Sequence, residues 1–488
     1  MANEDMSFFG LNRPEYVPAT ELFMAELAWS VTSDDVRKAI SASIAPDGLA
    51  FGSRETHKQG KAHRTRPLRH TAAYQEASQS IAKRFGQGEQ VGAGILDTLL
   101  DEIESFASEK SLRSTAIPVN LASSLLQDRR GITGKANPAN IAQILEQIYG
   151  VGGGHESAAI RWICALRDAA PTGIPNWIDE TLGMVLPAEC ETALTEVMAA
   201  KGKAVVGLRE PKWLRDRSNP FRWFARSWDA LCARGWVDAM PRRRFADWAA
   251  CLTRTGVAAT YLFEMHMSTR MVAALGSDQE AGEVVHRVIE ESKRLLLWDD
   301  NKSASAADVG PSIKQLSYVG TSCQELLKRL KKDHPELPTP ASYDDREDGL
   351  AEWLQDARVA LRPCKREVSE GIAAALDETQ SSSAKNVFET IRYSLLVRGG
   401  HQSTDLYGFL KQAGRYTCVD PGQEWLVVIA SLCSSGPRQP ARLADLVEAL
   451  DDLGIAAPRA TLIARLENYG LARSSHDADD ALEIQPAF

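Results

Sequence analysis

With 488 residues, 44% of them hydrophobic and 25% charged, the chain has the composition of a globular protein and is too long for one small core. Its formal net charge of −9 gives no general attraction to phosphate, so any contact with nucleic acid has to come from local patches. Eight cysteines without short paired spacings argue against a disulfide framework and against zinc, and no apolar run reaches the roughly eighteen residues of a membrane span.

The N-terminal MANEDMSFFG carries acids where a signal peptide needs basic residues, so the expected location is the cytoplasm. Residues 1–115 are expected as a helical region opened by an arm with Pro14 and Pro18. Leu22, Phe23, Leu27 and Val31 give a first helix its apolar face, and Asp34 and Asp35 suit the first turn of a second. Within this region, residues 54–70 hold Arg54, Lys58, Lys61, Arg64, Arg66 and Arg69 against Glu55 alone, with almost nothing apolar. That composition predicts an exposed basic arm, either simply solvated or contacting phosphates.

Residues 116–300 are expected as a central helical domain. Gly92 and Gly94 lack the lysine of a phosphate-binding loop, and Gly131–Lys135 is too short for one, so no nucleotide is expected. Between Lys201 and Arg254, thirteen Lys or Arg face five Asp or Glu, and Trp213, Trp223, Trp228, Trp236 and Trp248 lie among them. Two readings remain open for this block. The tryptophans can be core with the arginines paired to carboxylates, or Arg215, Arg217, Arg222, Arg226, Arg242, Arg243 and Arg244 can form a surface that tracks a phosphate backbone. Glu264 and His266 have no second histidine at the spacing a metalloprotease helix requires.

A linker is expected over 301–345 from its polar start and from Pro335, Pro338 and Pro340, followed by a helical region over 346–418. In the final region, 419–488, Trp425, Val428, Ile429 and Leu432 share one helical face. Leu443, Leu446, Val447 and Leu450 share another, closed by Gly454. Pro458 opens a third helix with Leu462, Ile463 and Leu466, ended by Gly470, and two short strands follow.

Helix, helix–turn–helix and a small wing: this tail resembles a winged helix-turn-helix domain. The resemblance implies a third helix that enters the major groove, offering Arg459 and Arg465 here. From Asp420 to Phe488, however, five arginines face eleven acids, which equally suits a protein-docking use of such a domain.

The expected fold is therefore mainly α, a multi-domain helical protein with a C-terminal winged helix-turn-helix domain. The expected function is a non-catalytic, nucleic-acid-associated subunit of a bacterial multi-protein complex, of the phage-defence or restriction kind, with DNA or RNA and other proteins as partners. No membrane contact, metal or small-molecule cofactor is expected. Two alternatives stand beside it: a protein–protein scaffold using an acidic winged helix, and an enzyme with a nuclease-like carboxylate site assembled from distant residues.

Overall fold

The computed structural model describes residues 6–14, 20–43, 54–58, 61–65, 67–104, 116–127, 141–168, 177–201, 208–379, 382–397, 399–400, 403–472 and 482–488. The chain is mainly helical. Helices α1 (Thr20–Ser30) and α2 (Asp34–Ser43) precede an antiparallel ribbon of β1 (Arg54–Lys58) and β2 (Lys61–Thr65). Next come α3 (Ala72–Arg84), α4 (Glu89–Glu102), α5 (Leu121–Ser124), α6 (Ile141–Val151), α7 (Ala158–Asp168), α8 (Trp177–Met184) and α9 (Glu191–Ala199). The middle holds α10 (Pro220–Cys232), α11 (Arg234–Ala239), α12 (Arg242–Leu275), α13 (Ala281–Ser292) and β3 (Leu296–Leu297). Four helices follow: α14 (Gly310–Asp333), α15 (Gly349–Leu361), α16 (Lys365–Leu376) and α17 (Ser382–Leu395). Two small hairpins, β4 (Gly399–Gly400) with β5 (Ser403–Thr404) and β6 (Leu410–Ala413) with β7 (Tyr416–Val419), lead to the C-terminal segment. It consists of α18 (Gln423–Leu432), β8 (Ala441–Arg442), α19 (Leu443–Asp452), β9 (Ile455–Ala456), α20 (Arg459–Asn468) and β10 (Glu483–Ile484).

Everything is arranged around α12. It has 34 residues and spans about 50 Å at 1.5 Å per residue. Every residue from Cys251 to Ser268 is buried, and a helix buried on all sides needs neighbours on all sides. Those neighbours include α1, α10, α13, α14 and α17. Two glycines permit the closest approaches. A Cβ on Gly256 would lie 2.5 Å from the Phe224 ring of α10, and one on Gly320 of α14 would lie 2.7 Å from the Cβ of Met265.

The span expected as a linker, 301–345, thus contains a 24-residue helix packed along the core helix. Its inward face is built from Ser317, Gly320 and Thr321 as much as from Leu326 and Leu327, so hydrophobic periodicity understates it. The N-terminal arm is also core. Phe9 lies 4.8 Å from Phe221 and 5.5 Å from Phe263, ring centre to ring centre, and Phe8 meets Trp353 edge-on at 5.1 Å.

The C-terminal segment is continuous with this core. Trp425 of α18 is fully buried, its indole N–H donates to the Thr255 hydroxyl of α12 at 3.0 Å, and its ring packs on Phe409. Gly454 and Gly470 end α19 and α20 in the left-handed region, at φ of 73° and 72°. Strand β8 pairs antiparallel with β10, and Ala472 bridges to Ile484 beside it. Strand β9 instead pairs parallel with β3, far earlier in the chain, and so ties the turn between α19 and α20 to the body.

Candidate nucleic-acid interface

The basic arm is a β-ribbon. Its register pairs Arg54 with Thr65, Glu55 with Arg64, Thr56 with His63 and Lys58 with Lys61. Since strand positions alternate between two faces, Arg54, Lys58, Lys61 and His63 fall at positions on one face, and Glu55, Arg64 and His57 at positions on the other. Arg66 lies outside the described residues. Arg69, just beyond the ribbon, donates to Asp97 at 2.9 Å, as does the Tyr74 hydroxyl, and this anchors the ribbon's base to α3 and α4.

The tryptophan block is core. Trp213, Trp223, Trp228, Trp236 and Trp248 are all buried, and the indole N–H of Trp228 donates to the Ala158 carbonyl at 3.1 Å. The arginines around them do not form one surface. Arg222 grips Glu210 with two nitrogens, at 2.9 and 3.2 Å, and Arg215 approaches the same carboxylate at 3.8 Å. Arg242 pairs with Asp179 of α8, while Arg243 pairs with Asp247 one turn on and donates to the Glu102 carbonyl. Arg244 lies 2.9 Å from Glu424 and donates to the Tyr407 hydroxyl at 2.8 Å. Burial opposes the charge of Arg244, but the hydrogen bond to Tyr407 and the nearby acids hold its pKa above the usual arginine value. Arg217 is half-buried, and desolvation pulls its pKa down, with the field of Asp348 opposing. Arg226 is exposed, and the carboxylate whose field it meets is Asp452. Within the block Glu210 and Asp247 engage Arg222 and Arg243, and from outside it Asp179 and Glu424 engage Arg242 and Arg244, so these arginines are paired rather than presented together.

In the tail, Arg459 is exposed at the start of α20. Arg465, one turn from its end, faces the body: Nε lies 2.7 Å from Asp300, Nη2 3.1 Å from Asp420, and Nη1 3.1 Å from the Tyr469 hydroxyl. Its hydrogen bond to Asp300 raises its pKa well above the ordinary value, with burial opposing. Among the described residues no group of three or more His, Cys, Asp or Glu is placed around a metal position, and no helix is long and apolar enough to cross a membrane.

The carboxylates that engage these arginines were not legible as a set in the sequence. Asp179, Glu424, Asp300 and Asp420 come from remote segments, and no local spacing links them to their partners. Comparison of the chain with protein-family models, with curated proteins and with solved structures finds no match.

Proposed function

We propose that the protein is a non-catalytic, nucleic-acid-associated subunit of a larger complex, and that the ribbon Arg54–Thr65 is its phosphate-contacting element. The carrying observation is the register that sets Lys58 against Lys61, with Arg54 at a position on the same face. An antiparallel ribbon fits a nucleic-acid groove, and clustered cations gain affinity by displacing condensed counterions. The helical body then serves as a platform, with Arg222, Arg242, Arg243 and Arg244 engaged internally.

We further propose that the C-terminal segment is a winged helix-turn-helix module. The order α18, β8, α19, α20 and the β8–β10 pair with Ala472 beside it support this reading. A second reading, the protein-holding scaffold, draws support from Arg465. A third helix whose cation is held by Asp300 and Asp420 is occupied by its own body and not offered to a groove.

Fluorescence polarisation of the full chain with labelled duplex and single-stranded DNA and RNA, at about 50 and 200 mM salt, tests the first reading. Reversal of Arg54, Lys58, Lys61 and Arg64 to Glu is expected to abolish binding, while Arg459→Glu leaves most of it. Absence of binding by the native chain at the lower salt leaves the scaffold reading.

A further inference from the structure

A cleft of about 740 Å³ opens where α12, the end of α13 and the start of α14 diverge. That volume is in the range of small-molecule sites, and it lies apart from every residue assigned above. One wall is apolar: Leu262 of α12 faces Ile313, Leu316 and Val319 of α14, and Leu376, 37% exposed, completes the wall from the end of α16.

The other side is polar, and its charges are specific. Arg270 holds Glu291 through Nε at 2.9 Å, which leaves the remaining N–H donors of its fork for another acceptor. Arg294 lines the same cleft and has no carboxylate within 4 Å among the described residues. His266 is 4% exposed, and its Nε2 meets the Val288 carbonyl at 3.0 Å. A carbonyl only accepts, so Nε2 carries the proton and Nδ1 is left as an acceptor. Burial lowers the pKa of His266, so the ring is neutral near pH 7. Among the lining side chains two guanidinium groups face one carboxylate and a neutral imidazole, while the field of Arg294 also reaches Glu290 and Asp451 outside the cleft.

We propose that this cleft binds an amphipathic monocarboxylate, with the carboxylate against Arg270 and Arg294 and the apolar part along Leu262, Ile313 and Leu316. With Glu291 beside Arg270, and Glu290 and Asp451 in the field of Arg294, the cleft matches a monoanion better than a phosphate dianion. The chemistry is that of acyl-chain carboxylates, with or without an amide or hydroxyl near the head.

Isothermal titration calorimetry of the full chain with decanoate, decyl phosphate and decanol at pH 7.5 tests this. Decanoate is expected to saturate at one site per chain and to bind at least about tenfold more tightly than decanol, since a charge-assisted hydrogen bond is lost with the alcohol. It is also expected to bind more tightly than decyl phosphate. Arg294→Gln is expected to weaken decanoate about tenfold and leave decanol unchanged. Arg294 is exposed, so an unmoved thermal midpoint verifies the fold of that variant; Arg270→Gln, with Glu291→Gln to avoid a stranded acid, is the second. The proposal is overturned by the absence of saturable decanoate binding, by equal affinity for decanol, by tighter binding of decyl phosphate, or by decanoate affinity unchanged in both variants.

Discussion

Arg465 and Asp300, 165 residues apart in sequence, meet at 2.7 Å and fasten the third helix of the C-terminal segment to the turn that follows β3. Asp420 closes the other side of the guanidinium at 3.1 Å, and both carboxylates remain partly shielded, at 30% and 34% side-chain exposure. Arg465→Met is expected to destabilise the protein by about 1 kcal/mol, because Asp300 and Asp420 each lose one charged donor while keeping Trp298 and Lys411 respectively. A double-mutant cycle with Asp300→Asn, followed by urea unfolding, should return a coupling of about 1 kcal/mol. A coupling near zero would mean that the clamp is incidental.

A second ion pair is far more buried. Arg254 and Asp405 lie 2.7 Å apart at 5% and 6% exposure, and Arg254 also donates to the carbonyls of Ser394 and Leu396. Removing the arginine takes the countercharge from a buried carboxylate, which keeps the Tyr407 backbone N–H, and a donor from two carbonyls, so Arg254→Met should cost about 3–5 kcal/mol. Adding Asp405→Leu should recover part of that loss in the same unfolding measurement.

Packing against α12 gives a third prediction. With a Cβ on Gly320 only 2.7 Å from Met265, Gly320→Val forces α14 outward and should cost about 1–3 kcal/mol. Gly183, with open space around it, should accept alanine with little change, and differential scanning calorimetry of the two variants compares them directly.

Asp452 gives a pH dependence. Burial, which its bonds to Ser218 and Asn219 only partly offset, pushes its carboxyl up to about 6 from the ordinary 3.8. The folded state therefore binds a proton more readily than the unfolded one between those values. This group's contribution to stability rises as pH falls from about 6 toward 4 and is least favourable above 6. Asp452→Asn, which keeps an oxygen acceptor for Ser218 and Asn219, should raise stability at pH 7.5 by on the order of 1 kcal/mol and lose that advantage near pH 4. Thermal midpoints of both proteins across that window decide it, and an advantage independent of pH would contradict the assignment.

Local signals in the sequence carried well into the fold where one residue type has one job. Gly454 and Gly470 stop helices in the left-handed conformation that glycine adopts cheaply, and Pro458 stands immediately before the helix it opens. The burial of Trp228 and Trp248 follows from the size of indole. The arm bearing Phe8 and Phe9 and the helix bearing Gly320 were opaque for opposite reasons. The first is too short and proline-flanked to show a period, and the second packs through small residues that carry no hydrophobic signal. The charge pattern misleads most. A local excess of arginine between Lys201 and Arg254 says nothing about Asp179 or Glu424, which reach it only in the folded chain. The cleft of His266, Arg270 and Arg294 is hidden in the same way, since its two arginines come from α12 and from the turn after α13 and no spacing rule joins them.

The most direct test of the account is the salt dependence of nucleic-acid binding with the ribbon intact and reversed. For the native chain, log affinity for duplex DNA should fall linearly with log salt, by roughly 0.9 for each phosphate the ribbon neutralises. Reversal of Arg54, Lys58, Lys61 and Arg64 should remove both the affinity and the slope. Equal affinity and an unchanged slope in the reversed variant would contradict the assignment of the ribbon.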